Sequence, residues 1–285
     1  MGLKQALIQE NPLQIVGTIN AYTALLAKQA GFKAIYLSGA GVSNAILGLP
    51  DLGLINLNDM LREVDRITNA CELPLLVDVD TGFGETLSIA RTVKTMIKAG
   101  AAGVHLEDQV ATKRCGHRSG KHIVSIESMC DRIQAAQEAN TQTHFTIMAR
   151  TDALATEGLE LTINRMQQYV KAGAEMIFFE GAETLEQYQA VTHALSVPVL
   201  ANITEFGLTP LFTKEALRTV GIQLILYPQS AFRIMSEATL QLFQTIRAHG
   251  TQQSCVNHMQ TRQALYQLLQ YDQYEKIQDK LHERH

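Results

Sequence analysis

Eight short runs of β-branched and aliphatic residues alternate with amphipathic stretches along this chain, and that alternation limits the fold more than any other feature. The runs are QIVGTIN (14–20), KAIYLSG (33–39), LPLLVDVD (73–80), AGVHLED (102–108), FTIMARTD (145–152), MIFFEG (176–181), VPVLANI (197–203) and LILYP (224–228). Between them the period is helical: in 85–100, Ile89, Val93, Met96 and Ile97 form one apolar stripe. TLEQ at 184–187 has the form of a capping box that starts the following helix. Near-continuous apolar strands alternating with helices imply a parallel sheet covered on its outer face. Eight such units in 285 residues predict an α/β fold of the (β/α)8, TIM-barrel type. The expected organisation is one barrel domain over 1–285, with 230–285 as a helical C-terminal extension.

A weak internal repeat supports closure. AGFKAIYLSG (30–39), AGAAGVHLED (99–108) and AGAEMIFFEG (172–181) each end a helix on Ala-Gly and then run into a strand. Seven residues beyond Gly31, Gly100 and Gly173 stand Ser38, Glu107 and Glu180, where each strand should emerge. The structural rival is an open doubly wound sheet, but no GxGxxG follows the first strand.

The polar groups collect at strand ends: Ser38 and Gly39, Asp78 and Asp80, Glu107 and Asp108, Arg150 and Asp152, Glu180, Asn202 and Thr204, Tyr227. In a barrel those ends share one face, where such enzymes place their chemistry. Helix N-capping accounts for some of them, Asp152 included, but does not explain Arg150, Glu107 and Glu180 together. Asp78 and Asp80 stand two apart on a strand, so both carboxylates face one way and can share a cation. Hard oxygen donors point to Mg²⁺ or Mn²⁺, and Glu107 and Asp108 would complete the coordination directly or through water.

The run KRCGHRSGKH (113–122) surrounds Cys115 with Lys113, Arg114, His117, Arg118, Lys121 and His122. Cationic neighbours favour the thiolate and suit the thiol to proton transfer. The same cations suit an anionic substrate, and Gly116 and Gly120 mark a loop able to act as a lid. Cys71, Cys130 and Cys255 show no metal or disulfide spacing, and His105 reads as a hydrogen-bonded core histidine. A formal net charge of −4 without a basic stripe argues against nucleic acid, and the lack of a long apolar run or signal-like N-terminus argues against a membrane. A cytoplasmic setting is expected.

Together, KRCGH, YLSGAG (36–41), LGLPDLG (47–53), LPLLVDVDTGFG (73–84), GVHLEDQ (103–109), IMARTDA (147–153), ANITEFG (201–207) and YPQSAFR (227–233) resemble the isocitrate lyase and phosphoenolpyruvate mutase superfamily, from about residue 10 to 278. The resemblance implies a barrel whose last helix is exchanged between subunits of a homotetramer. It also implies Mg²⁺-dependent cleavage of a tricarboxylate, 2-methylisocitrate, to pyruvate and succinate. Carried over by position, Ser38, Gly39 and Ala40 would hold the keto-acid half, although relatives often have Gly where Ala40 stands. Asp78, Asp80 and Glu107 would serve the metal, and Cys115 and Gly116 would lie on the lid with Arg114 and His117. Arg150, Glu180, Asn202, Ile203, Thr204, Arg233 and Arg262 would contact substrate. Cys115 would be the general acid, with Tyr36 and Asp51 as alternatives for the base. Sister activities on isocitrate, phosphonopyruvate or oxaloacetate, or a non-catalytic anion-binding barrel, are the alternatives.

Overall fold

The structure is a computed structural model, and it describes residues 2–112 and 120–282. Eight parallel strands close into a barrel in sequence order: β1 (Leu13–Gly17), β2 (Ala34–Leu37), β3 (Leu75–Asp78), β4 (Gly103–Glu107), β5 (Thr146–Thr151), β6 (Met176–Phe179), β7 (Val199–Asn202) and β8 (Leu224–Tyr227). Closure is made by β8 on β1, with Leu13 beside Leu224 and Val16 beside Tyr227. Seven strands fall within their expected runs, β1 starts one residue early at Leu13, and all eight are shorter than their runs, because the polar ends leave the ladder to become loops.

The helices are α1 (Leu3–Gln9), α2 (Ala21–Gln29), α3 (Gly39–Gly41), α4 (Leu57–Ala70), α5 (Thr86–Lys98), α6 (Ile126–Ala139), α7 (Leu154–Lys171), α8 (Leu185–Ala194), α9 (Lys214–Thr219), α10 (Ser230–His249), α11 (Arg262–Leu268) and α12 (Tyr271–His282). A π-helical turn, Val42–Ile46, continues α3. The stripe expected over 85–100 forms α5, which buries Ile89, Val93 and Met96. Thr184 caps α8 by accepting from the Gln187 amide, as the TLEQ box requires. Gly31, Gly100 and Gly173 end their helices at φ 91°, 85° and 114°, the left-handed values that favour glycine.

Strand periodicity divides the core in two. Outward residues such as Val104, Leu106, Ile147, Ala149, Ile177 and Phe179 pack against the helices. Inward residues including Leu13, Ile15, Tyr36, Leu76, Met148, Phe178, Leu200 and Leu226 fill the barrel, joined from the N-terminal end by Leu3 and Ala6 of α1. The interior is therefore a packed plug rather than a pore, and chemistry is confined to the rim where the strands end.

The chain divides into two compact units, Met1–Phe232 and Arg233–His285. The first contains the whole barrel. The second has most of α10, a 3₁₀ segment at Gln253–His258, and α11 and α12. The C-terminal extension is helical but interrupted: Gln270 takes φ 54° and separates α11 from α12. No helix among the described residues is long and apolar enough to cross a membrane.

Candidate active site

The inward period of two carries past the strand ends and lines the mouth. Tyr36 leads to Ser38, Leu76 to Asp78 and Asp80, His105 to Glu107, Met148 to Arg150 and Asp152, Phe178 to Glu180, and Leu200 to Asn202 and Thr204. All of these polar groups are buried, from Asp152 at 0% exposure to Arg150 at 9%. Charge buried to this degree needs partners or a ligand.

The Asp78 carboxylate is held by backbone at both oxygens. The Gly39 amide donates to Asp78 Oδ2 at 3.0 Å, and the Asp80 amide donates to Asp78 Oδ1 at 3.0 Å. Asp80 itself takes φ 49°, a left-handed value that Asp tolerates better than most side chains, and this turns its carboxylate back toward the barrel axis. A methyl group built on Gly39 would lie 3.1 Å from Asp78 Oδ2 and 3.2 Å from Asp80 Oδ1. Both carboxylates therefore border the same small space, which any larger residue at 39 would fill.

That geometry tests the expected metal. Among the described residues no three or more His, Cys, Asp or Glu side chains converge as a metal-binding group. Mg²⁺ does not require such a cage: it keeps several waters and is commonly held by one or two carboxylates plus substrate oxygens. Two hard oxygen donors around one space, with Glu107 buried on the adjoining strand, fit that mode.

Arg150 is the cation of the mouth. Its Nε and Nη2 donate to both oxygens of Asp152 at 2.9 and 3.1 Å, and Nη1 lies 3.4 Å from Glu107 Oε2. Its guanidinium also stacks over Phe178 at 5.1 Å. Burial alone would lower its pKa, but Asp152, Glu107 and Glu180 outweigh that effect and keep it charged. Lys121 Nζ donates to the same Asp152 oxygen that takes Arg150 Nη2, at 3.1 Å. Asn202 Nδ2 donates to Glu180 at 3.1 and 3.4 Å, and Gln229 Nε2 donates to Ser38 Oγ at 3.1 Å.

Tyr36 and His105 form a second pair inside the rim. The Tyr36 hydroxyl is 2.9 Å from His105 Nε2 and 3.4 Å from Asp78 Oδ2, and the rings stack at 5.7 Å. Burial first, and then the Asp78 carboxylate, push the Tyr36 pKa well up, so the phenol keeps its proton at neutral pH. His105 is fully buried, as expected of a core histidine, yet its Nε2 lies 3.6 Å from Asp78 Oδ1.

Two sequence expectations are corrected here. Asp108 cannot serve the metal, because it is the outward neighbour of Glu107. Its Oδ1 accepts from the Asp152 amide at 2.9 Å, and its Oδ2 accepts from Thr151 Oγ1 at 2.6 Å and Tyr169 Oη at 3.0 Å. Burial raises its pKa. Asp152 is not a helix cap either. Ala153 occupies the position before α7 without a side-chain cap, while Asp152 pairs with Arg150 and Lys121.

Behind the wall, Arg165 of α7 chelates Glu157 at 2.6 and 2.5 Å and donates to the Val124 carbonyl at 2.9 Å. Arg132 of α6 donates to the carbonyls of Glu107 and Gln109 at 3.0 and 2.9 Å. These arginines fix the two limbs that lead into and out of 113–119. No local sequence pattern announced them, since their partners are distant backbone carbonyls. For His105 a signal existed: it lies two residues before Glu107, on the same strand face.

Of the remaining expected residues, Ile203 and Thr204 are buried at the end of β7, and Ala40 and Asp51 are half-buried. Arg233 and Arg262 are exposed and belong to the second unit. Arg114, Cys115, Gly116 and His117 lie outside the described residues.

The closed barrel and its rim of buried carboxylates and arginine define a (β/α)8-barrel enzyme. Residues 3–247 match the phosphoenolpyruvate phosphomutase family, and the chain belongs to it, within the isocitrate lyase and phosphoenolpyruvate mutase superfamily that its motifs resemble. It is 57% identical to the 2-methylisocitrate lyase of Escherichia coli (strain K12), over 99% of this chain and 95% of that protein. It is 41% identical to the 2-methylisocitrate lyase of Bacillus subtilis (strain 168), over 93% of this chain and 87% of that protein. Among solved structures, a 2,3-dimethylmalate lyase superposes with TM-score 0.90 at 32% identity, covering 98% of this chain and 94% of that one.

Proposed function

We propose that this chain is a carbon–carbon lyase that cleaves 2-methylisocitrate to pyruvate and succinate with the help of Mg²⁺. The observation that carries the reading is the 57% identity, over 99% of the chain, to a protein named for that activity. The rim supports it independently, because it juxtaposes carboxylates suited to a hard cation with an arginine suited to a carboxylate substrate. The sister activities are weaker readings: the oxaloacetate acetylhydrolase structure shares 33% identity.

In the reaction the hydroxyl proton leaves, the oxygen becomes the pyruvate carbonyl, and the carbon–carbon bond breaks. Its electron pair passes to the succinate carbon, which then takes a proton. Asp78 and Asp80, with Glu107 nearby, would hold Mg²⁺, which would supply Lewis acidity to the substrate's oxygens. Ser38 and Gly39 position the keto-acid half, with Gln229 orienting the Ser38 hydroxyl. Arg150, Asn202 and Thr204 receive the departing dicarboxylate, and Glu180 holds the Asn202 amide in place. Cys115 is assigned the protonation of the succinate carbon, and the cations around it, Arg114 and His117 included, the stabilisation of its thiolate. Tyr36, protonated at rest and bonded to His105, is better placed to donate to a substrate oxygen than to begin as a base, which leaves Asp51 as the simpler candidate for proton removal.

We further propose a cytoplasmic homotetramer that exchanges its last barrel helix, with Arg233 and Arg262 as substrate contacts in the assembled enzyme. Support comes from the apolar residues that α10 and α12 expose, among them Ile234 at 69%, Phe243 at 62% and Tyr274 at 72%. Pyruvate release from 2-methylisocitrate, followed by a coupled assay with and without EDTA, tests the main reading. Turnover that EDTA abolishes and Mg²⁺ restores is expected. Absence of turnover, or a preference for isocitrate, would overturn it, with about 1–3 kcal/mol expected to ride on the substrate's methyl group.

A further inference from the structure

Lys121 belongs to the cationic run around Cys115, yet the residue is buried to 8% exposure and pairs beside the substrate arginine. Buried lysine is expensive unless it is paired, and this one is paired with a carboxylate that Arg150 already occupies. Asp152 Oδ1 accepts from Lys121 Nζ and from Arg150 Nη2, each at 3.1 Å, while Oδ2 takes Arg150 Nε at 2.9 Å. Arg150 also has Glu107 3.4 Å from its Nη1.

The charges explain why a second cation is useful. With Arg150 alone against Asp152, Glu107 and Glu180, this part of the rim would carry a net charge of −2. A polycarboxylate entering there would be repelled by the same groups that orient its arginine. Lys121 halves that excess, to −1, and does so by bonding Asp152, so no donor of Arg150 is taken up. We propose that Lys121 is a positioning residue for anionic substrate: it takes half of Asp152's charge, so that Asp152 can orient Arg150 without cancelling it. This rests on the proposed reaction for its substrate class, and assigns to Lys121 a task separate from direct contact.

The inference predicts an order of affinities that follows charge. Relative to wild type, Lys121→Met changes the cluster by −1, Asp152→Asn by +1, and the double variant by nothing. Succinate binding to the full-length protein, measured by calorimetry with Mg²⁺ present, is expected to be tightest in D152N and weakest in K121M. K121M should lose at least about tenfold, equivalent to about 1.4 kcal/mol. The double variant should return to within about threefold of wild type even though it lacks both groups. A lysine that served only folding would give losses that add, with the double variant the worst of the four. Should K121M fail to fold, the comparison of D152N with the double variant decides the matter, because exchanging a buried ion pair for neutral isosteres is well tolerated. Equal affinities in those two, or losses that add across the set, overturn the inference. Wild-type turnover of 2-methylisocitrate is measured alongside. Its absence would sink the proposed function while the order of succinate affinities still decides the role of Lys121.

Discussion

Glu107 and Asp108 are adjacent, both acidic, and exposed by only 1% and 0%. One pairs with Arg150, its neighbour on β5, at the barrel mouth; the other faces Tyr169 of α7 behind the wall. Composition and burial cannot separate them. Only the alternation of the strand does, and it puts chemistry on one side and scaffolding on the other. The same division runs through β5, where Arg150 and Asp152 look inward while Thr151 bonds Asp108 outside. Two buried clusters of similar polarity thus sit back to back across a single sheet. Damage to the inner one should cost activity, and damage to the outer one stability.

The largest expected effect belongs to the inner face. Asp80→Ala should lower turnover by roughly 10² to 10³, the range for losing a group that stabilises developing charge. The melting temperature should hold or rise, because one of two neighbouring carboxylates is gone. Thermal melts alongside the pyruvate assay check both. A variant that melts early would break the comparison at its strongest point.

Asp108→Ala should do the reverse. It leaves Thr151 Oγ1, Tyr169 Oη and the Asp152 amide without their shared acceptor. At about 1 kcal/mol for each abandoned group, denaturant titration should show a loss of about 3 kcal/mol. Turnover per folded molecule should fall much less than in the Asp80 variant. If it falls as far, the wall does not insulate the two faces.

His105 sharpens the boundary, since it belongs to the inner face and reaches the site through Tyr36 and Asp78. Its Nε2 holds the Tyr36 hydroxyl, and the Nε2 of Gln can reach the same place. His105→Leu should cost turnover about tenfold, the lower range for losing an outer partner of a metal site, and His105→Gln should recover most of it. Equal losses in the two variants would make His105 a packing residue only.

Much of this architecture is legible in the amino-acid sequence. The eight runs and the glycine-capped repeat specify a barrel, and strand-end residues such as Asp78, Arg150 and Asn202 are found together at the rim because closure brings all strand ends to one face. What remained hidden shares a physical cause. Asp152 looked like a cap because it precedes a helix, but the cap lost to a bidentate arginine two residues back, on the same strand face. Asp108 looked like a ligand because it adjoins Glu107, and half a pleat turned it away. Arg132 and Arg165 bond carbonyls of residues 23 to 41 positions away, which no local pattern encodes.

The smallest effect lies at the outer cluster's edge and can be separated by pH. The Arg165 guanidinium, chelated by Glu157 at 2.5 and 2.6 Å, holds the Glu157 carboxyl below the usual range. A depressed carboxylate pKa means that the unfolded chain binds the proton more readily than the folded one. The pair's contribution is therefore complete above the ordinary glutamate pKa of about 4.3 and disappears as pH falls through the lower folded value. Glu157 is 27% exposed, so screening keeps the contribution near 1 kcal/mol rather than the larger value of a fully buried pair. Glu157→Gln should lower stability by about that amount at pH 7, and the gap between variant and wild type should narrow toward zero as acid protonates Glu157. Turnover at pH 7 should stay within about twofold, since Arg165 retains its bonds to Val124 and Tyr169. Paired melts across that range check the sign. A gap that widens on acidification would mean that Glu157 stabilises the fold as a protonated acid, and that the outer cluster is organised by something other than its arginine.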